Sequence, residues 1–487
     1  MEHHAEQYQA FRERYHEFIY EQAQIQETQD ELTVIYRFQI PGLSLFEPVW
    51  KFPKPTSAKA GQNPLIREMI FSLGMVELIS YWKIACPPKV IVKAGKLNQV
   101  QIDWWKKLYF YGLGEFFYVN AVQDAQIDNF MEISSVFLGQ EQKEIKEEQA
   151  ETKEEETTPA PGTKILVPIG GGKDSAVTLE LLKEAKANSY GYIINPRGAT
   201  LHTADAAGLE RNHVICVSRS LDKRMLELNR RGFLNGHTPF SAIVAFSSLI
   251  AAKLYHLPYI ALSNESSANE STIQGSSINH QYSKSFAFEQ DFCRYVKSFL
   301  PGSSKYFSLL RPLSEFQIAA YFSSCRSYHA VFRSCNAGSK KDEWCGHCPK
   351  CLFVALILSP FLTMKELENI FGTPIFEDET LISTLEQLVG IQEEKPFECV
   401  GSRREVNAAI RLTIRRLERS GKRLPKLLAY YKNSMQYPVQ DREDDGYFSY
   451  FDSENLVPEP WKELVKNRCT KDAVKKHLIV KEDGEKQ

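Results

Sequence analysis

The segment Lys164-Ile-Leu-Val-Pro168-Ile-Gly170-Gly171-Gly172-Lys173-Asp174-Ser175 joins a short apolar run to a helical pattern through three glycines. Lys164–Ile169 reads as a strand and Asp174–Ala187 as the helix after it. In such a turn, consecutive glycines let backbone N–H groups converge on an anion, and the helix N-terminus adds partial positive charge. Lys173 can add a full charge, Asp174 can hold Mg²⁺ beside phosphates, and the Ser175 hydroxyl can donate to a phosphate oxygen. Gly170, Gly171, Gly172, Lys173, Asp174 and Ser175 are therefore candidate phosphate ligands. A Walker A loop needs G-x-x-x-x-G-K-[ST] and a dinucleotide turn needs G-x-G-x-x-G, and neither is present. The plain alternative is a glycine turn between strand and helix.

The pattern continues downstream. Tyr190–Ile194, His213–Ser218 and Tyr259–Leu262 are short apolar runs, and Ser241–Tyr255 is a long apolar helix candidate. Strands alternating with helices predict an α/β fold, a doubly wound parallel sheet covered on both faces. Ligands bind such sheets at the carboxyl edge of the strands. The polar loop Leu262-Ser-Asn264-Glu265 to Glu270, continuing as Gly275 to Asn279-His280-Gln281-Tyr282-Ser283-Lys284-Ser285, follows a strand and should reach that edge. Gly236-His237-Thr-Pro239-Phe240-Ser241 enters the long helix, so His237 can be a site residue or a packing residue. Arg311, Arg326 and Arg333 could receive carboxylate or phosphate groups, although each taken alone reads as a surface charge.

Upstream, Glu141–Glu156 holds eight Glu and three Lys, and a Thr/Pro/Gly tail follows it to Thr163. Such a run buries too little apolar area to fold and reads as a linker, with an exposed helix as the alternative. The chain then divides into an N-terminal α+β region (1–139), an acidic linker (140–163), the sheet domain (164–360), a C-terminal helical region (361–470) and a charged, frayed tail (471–487). In the first region Leu32–Ile40 and Lys89–Lys93 read as strands, and Pro64–Ala85 and Gln99–Phe117 as helices. Its aromatic stripe around Trp104, Trp105, Tyr109 and Phe116 reads as core.

Four of the ten cysteines crowd into Cys335-x₉-Cys345-x₂-Cys348-x₂-Cys351. Four thiolates at that spacing suit tetrahedral Zn²⁺, and a Cys₄ site is coordinatively closed, hence structural. An iron–sulfur cluster or free thiols are the alternatives. His347 falls between ligands and reads as exposed rather than as a fifth ligand.

Over 487 residues, hydrophobic residues make up 43% and charged residues 25%, an ordinary globular balance. With 59 Lys+Arg against 61 Asp+Glu the net charge is −2, so bulk charge gives no case for a nucleic-acid partner. The N-terminus shows no basic segment leading into an apolar one, and no apolar run reaches the ~20 residues of a membrane span. A cytoplasmic protein with no membrane partner is expected. Oligomeric state is not legible.

The turn at 170–175 resembles the S-G-G-x-D-S pyrophosphate loop of adenine nucleotide α-hydrolase-like enzymes that split ATP into AMP and PPi, with Gly170 in place of the first Ser. In that fold Asn195 lies where adenosine is contacted, and Asn264 follows a sheet strand toward the same edge. The knuckle Cys345-Gly-His-Cys348-Pro-Lys-Cys351 resembles that of 7-cyano-7-deazaguanine synthases. Gly170–Ser175, Gly236–Ser241, Leu262–Glu265, Asn279–Ser285, the knuckle and Lys395-Pro-Phe-Glu-Cys-Val-Gly401 together resemble the MurL family over roughly residues 30–440. These are ATP-dependent UDP-N-acetyl-α-D-muramoyl-L-alanyl-L-glutamate epimerases. The Glu-rich insert is not expected of that family.

The resemblance implies a small-molecule substrate, UDP-MurNAc-L-Ala-L-Glu, with ATP and Mg²⁺ as cofactors and structural Zn²⁺. Lys173, Asp174 and Ser175 would act in the phosphate step. His280, Glu265, Lys284 and His237 are the titratable candidates for proton transfer. The N-terminal region and the C-terminal helices are expected to close over the nucleotide sugar. A cut at about Thr163 would then harm dipeptide binding more than ATP binding. Competing readings are a deazaguanine synthase-like ligase, a tRNA-modifying enzyme, and a zinc-stabilised nucleotide-sensing protein without turnover.

Overall fold

A computed structural model describes residues 2–56, 59–122, 125–135, 158–269, 282–338, 341–396, 398, 400–433 and 446–480. Most of the acidic segment and the run Asn279-His280-Gln281 lie outside the described residues. The protein is a mixed α/β structure with many helices. It divides into two compact units, neither continuous in sequence. One comprises Met1–Thr158, Ile215–Ile260 and Ile278–Lys305; the other comprises Pro159–Val214, Ala261–Ser277 and Tyr306–Gln487.

The first unit carries β1 (Glu17–Glu27), β2 (Glu31–Ile40), β3 (Ser44–Phe46), β4 (Val49–Pro53), β5 (Lys89–Val92) and β6 (Glu132–Ser135). β1 and β2 form a long antiparallel ribbon, and β2 alternates half-buried and buried residues along its length. One face of that ribbon needs a cover. The helix Pro64–Trp82 is apolar all round, and Ile66 and Met69–Trp82 are buried. Asn63 caps it by accepting from the Ile66 amide at 3.2 Å, with Pro64 at the first helical position. Gly74 is where helix and ribbon meet. A Cβ there would stand 2.0 Å from the Tyr20 hydroxyl and 2.7 Å from the Tyr36 ring, so any side chain would force the layers apart.

Two expectations are corrected here. The helix foreseen over Gln99–Phe117 ends at Gly112 and restarts as Gly114–Val119. The flanking glycines, poor helix formers, bracket Leu113 at φ −100 and ψ 10. The run at His213–Ser218 is β9 (Val214–Ser220), and it pairs antiparallel with β4 through Val49↔Ser220 and Lys51↔Ser218. Its alternating burial is that of a strand with one wet face, unlike the continuous apolar run of a parallel strand covered on both sides. The N-terminal aromatics do form core, with Trp105, Tyr109 and Phe116 fully buried.

Glu77 on the Pro64–Trp82 helix is fully buried, which requires a partner. Arg219 of β9 supplies it in bidentate form, from Nε at 3.0 Å and Nη2 at 2.9 Å. The Trp50 indole donates to the same carboxylate at 3.3 Å.

The second unit holds β7 (Lys164–Pro168), β8 (Asn188–Ile194), half of β10 (Tyr259–Leu262) and most of β11 (Lys305–Ser308), in the spatial order β11-β10-β7-β8. β7 and β8 are parallel, Lys164 facing Asn188 and Pro168 facing Tyr192. The C-terminal helices belong to this unit, and several are fixed by reciprocal caps. Ser314 with Gln317, Thr363 with Glu366 and Ser402 with Glu405 each exchange side-chain and backbone bonds. The tail expected to fray beyond Lys471 instead forms the helix Asp472–Lys475. Val474 and Ile479 are buried, and the Ile479 amide donates to Pro360 O at 3.1 Å. Two apolar anchors among the charges were enough to seat it. Among the described residues no helix is long and apolar enough to cross a membrane.

Candidate functional site

The phosphate-type turn lies between β7 and the helix Lys173–Glu184. Gly171 has φ +86, a left-handed conformation that favours glycine. A Cβ there would also meet Ala199 at 3.0 Å and the Thr200 amide nitrogen at 3.3 Å. Gly170 is exposed, with nothing within 4 Å of such a Cβ. Gly172 is the N-cap and offers the first turn no side-chain acceptor. Ser175 is buried, and its hydroxyl donates to Gly172 O at 3.0 Å, closing the turn on itself. From outside, the Arg333 amide donates to Gly171 O at 2.7 Å.

Lys173 points inward and is only 3% exposed. Its ammonium donates to Asp174 and to Glu315, a residue that sequence reasoning missed. Ligand oxygens of Asp174, Glu265 and Glu315 lie within 4.8 Å of one another. Glu265 and Glu315 are buried and Asp174 is half-buried, and the buried Lys350 adds a second positive charge near Glu315. Burial works against the Lys173 charge, but the Asp174 and Glu315 carboxylates outweigh it and hold its pKa above the ordinary lysine range. Burial pushes Glu315 up to about 8 against the pull of Lys173, with Asp174 and Glu265 adding to the rise. The cluster can therefore take a proton, accept an oxygen-seeking cation, or release Lys173 to an anion.

Glu315 opens the helix Glu315–Phe322, and its place was partly legible. Ser314-Glu-Phe-Gln317 is a capping-box pattern just after an apolar run, which puts an acid in the first turn of a helix. That it would meet Lys173, 142 positions away, was not legible. Lys395 and Gly401 lie here too, and Phe397 and Cys399 between them are outside the described residues. Lys395 donates to Gly401 O at 2.9 Å, and a Cβ on Gly401 would stand 3.0 Å from Glu315 Cγ.

The other candidates have these positions. Glu265 is buried, and its carbonyl accepts from Arg311 Nη1 at 2.6 Å. Arg311, fully buried, thus secures the loop backbone and is no surface charge. Arg326 pairs with Glu366. Arg333 is half-buried, with Nη1 on Phe332 O at 2.6 Å. Asn264 Nδ2 donates to Ser308 Oγ at 3.2 Å, tying the ends of β10 and β11. Asn195 is exposed at φ +51, a conformation asparagine tolerates. His280 lies outside the described residues.

Lys284 and His237 belong to the other unit. Lys284 is half-buried in a short turn of helix at Tyr282–Lys284. His237 Nδ1 is 3.9 Å from Glu115, and the neighbouring Gly236 carbonyl accepts from the buried Lys83. Burial, helped by Arg219, lowers Lys83 to about 8 against Cys86 and Glu115. Its folded value thus lies below the unfolded 10.5, so between about pH 8 and 10.5 the unfolded chain binds more protons. Stability should rise with pH across that window, and the cost is fully present below it. Urea titrations should show wild type gaining on the order of 2–3 kcal/mol relative to Lys83→Met from pH 8 to 10.5. A constant difference would refute the shift.

The cysteine cluster forms beside the turn. Cys335 and Cys348 sulfurs are 3.8 Å apart, Cys345 and Cys351 3.7 Å, and Cys348 and Cys351 3.5 Å. Gly338 and Cys345 amides donate to Cys335 Sγ at 3.1 and 3.4 Å. Gly346, at φ +79, turns the chain between ligands, and His347 is exposed.

Models of the MurL N-terminal domain and the MurL C-terminal domain match residues 9–309 and 322–443. Three relatives bear the name UDP-N-acetyl-alpha-D-muramoyl-L-alanyl-L-glutamate epimerase. One from Xanthomonas oryzae pv. oryzae is 34% identical over 79% of this chain and 83% of its own. One from a Micromonospora strain is 32% identical over 70% and 73%, and one from Salinispora tropica is 30% identical over 76% and 79%. No solved structure matches. With both domain models covering most of its length and relatives of one name aligned along it, the chain belongs to the MurL family and is an epimerase, an enzyme of the isomerase class.

Proposed function

We propose that the protein inverts the terminal L-glutamate of UDP-MurNAc-L-Ala-L-Glu to D-glutamate, consuming ATP through an acyl-adenylate. The substrate rests on the name that the three relatives share. The ATP step rests on one observation above all. Gly170–Gly172 lead into a helix whose N-cap carries no side-chain acceptor, beside an inward lysine and a carboxylate cluster.

The chemistry explains the need for ATP. The α-proton of glutamate is hard to remove while its α-carboxylate is ionised, because a second negative charge would form beside the first. A carboxylate oxygen attacks the α-phosphorus of ATP, and PPi leaves. The mixed anhydride has lost the charge, so a base can take the α-proton and form an enolate. An acid returns a proton to the opposite face, and water releases the D-epimer and AMP. Lys173 and the turn amides hold the leaving phosphates, and Ser175 closes the turn. Mg²⁺ neutralises triphosphate charge when bound. The clustered oxygens of Asp174, Glu265 and Glu315 fit such a hard cation. A site that lowers this barrier without ATP would have little use for the turn.

Incubating the protein with ATP, Mg²⁺ and the UDP-muramoyl dipeptide in deuterated solvent tests the proposal. AMP should form only with the dipeptide, and recovered D-glutamate should carry deuterium at the α-carbon. D-glutamate formed without ATP, or AMP formed only with a deazapurine acid or tRNA, would refute it. Alanine variants of Glu265, His280, Lys284 and His237 then assign proton transfer. The variant that still releases PPi but loses α-proton exchange marks the base or acid. Exchange intact in all four would remove them from the chemistry.

A further inference from the structure

We propose that Cys335, Cys345, Cys348 and Cys351 bind one zinc ion, and that this metal fixes the backbone of the Gly170–Gly172 turn through Arg333 and Asp342. The metal half stands apart from the proposed reaction. Only its consequence for nucleotide binding rests on that reading.

Sulfur spacing identifies the class of ligand. A tetrahedral ion with Zn–S bonds of about 2.3 Å sets its sulfurs about 3.8 Å apart. Three of the separations are 3.8, 3.7 and 3.5 Å, and all four sulfurs lie within 4.8 Å of one another. Disulfides would require about 2.05 Å. An iron–sulfur cluster, with several metals between its thiolates, would spread them further. Two amides donate to Cys335 Sγ, as suits a sulfur carrying negative charge. The backbone is shaped for the cluster, since a Cβ on Gly338 would stand 2.1 Å from Glu343 O and 3.3 Å from Cys335 Sγ. Four sulfur donors with no open position suit a structural metal.

The loop carrying these ligands also holds the phosphate-type turn. Arg333, two residues before Cys335, gives its amide to Gly171 O at 2.7 Å. Ser334 Cβ lies 3.4 Å from where Gly172 would carry its own. Asp342, inside the loop, accepts from the Ala199 amide at 2.7 Å. Ala199 is the residue against which Gly171 packs. The loop thus grips both sides of the turn, directly and through the start of the helix Gly198–Ala207. Without metal, four close-packed sulfurs lose their common centre and the grip loosens.

The full-length protein should contain about one zinc per chain by elemental analysis. Cobalt exchanged into the site should give thiolate charge-transfer and tetrahedral visible bands, and Cys348→Ser should abolish them. Hydrogen exchange at the donor amides of Arg333 and Ala199 should quicken about tenfold or more on chelation and recover with added Zn²⁺. Amides of the helix Phe240–Leu254 should not change. Chelation of the wild-type protein keeps the test valid where the Cys348→Ser chain does not fold. Asp342→Ala should quicken exchange at Ala199 while keeping the cobalt spectrum. Protein without metal, or cobalt without thiolate bands, overturns the site. Exchange at Arg333 and Ala199 unaffected by chelation overturns the coupling. Zinc and coupling present in a protein that never forms AMP would instead count against the reaction.

Discussion

On the proposed reaction, Lys173→Ala is expected to lower ATP-dependent epimerisation by about 10²–10³-fold, the usual cost of losing one preorganised group that stabilises developing charge. The loss should fall mainly on kcat, since the turn amides remain to bind phosphate. It also leaves Asp174 and Glu315, with Glu265 beside them, without the ammonium that bridges the first two. Glu315→Gln separates the two effects. It removes a charge already in excess, keeps a side chain of similar shape beside Lys173, and should cost far less activity. It should also remove the ionisation that burial places at about 8, flattening the wild-type pH profile near that value. Steady-state kinetics from pH 6 to 9 on both variants decide the matter. A Lys173→Ala enzyme within threefold of wild type would end the phosphate-turn reading.

The largest loss of stability is expected at Glu77→Ala, about 3–5 kcal/mol in urea unfolding, because Arg219 would keep a buried charge without its bidentate partner. Replacing both residues, Glu77→Met with Arg219→Met, should cost less than either single change, since the desolvation of both ions disappears together. Additive losses in that cycle would mean the two side chains are not coupled.

Sequence carried the local part of both units. Gly170-Gly-Gly-Lys-Asp-Ser175 stands between strand and helix because glycine spacing and apolar periodicity are written in adjacent residues. The four cysteines converge for a similar reason, as three of them sit within seven positions and a glycine turns the chain between two. What stayed hidden depends on distant pairing. Nothing near Glu315 names Lys173 as its partner. Nothing in β9 announces β4 on its flank, because an alternating strand suits either direction until a neighbour is known. Helices such as Phe286–Phe299 went unread beside the polar loop that precedes them.

The broken course of the first unit has a consequence during synthesis. Its opening ribbon leaves the ribosome long before Ile278–Lys305, the last segment it needs. At about 5–20 residues per second, that wait is on the order of ten to fifty seconds. Through much of it, the helix Pro64–Trp82 that covers the ribbon lacks its own partner, the helix Phe240–Leu254. A cut at Thr163 therefore cannot yield two self-sufficient pieces. Fragments ending before Lys305 should clump unless a holdase shields them, and only a nearly complete nascent chain can commit to the native state.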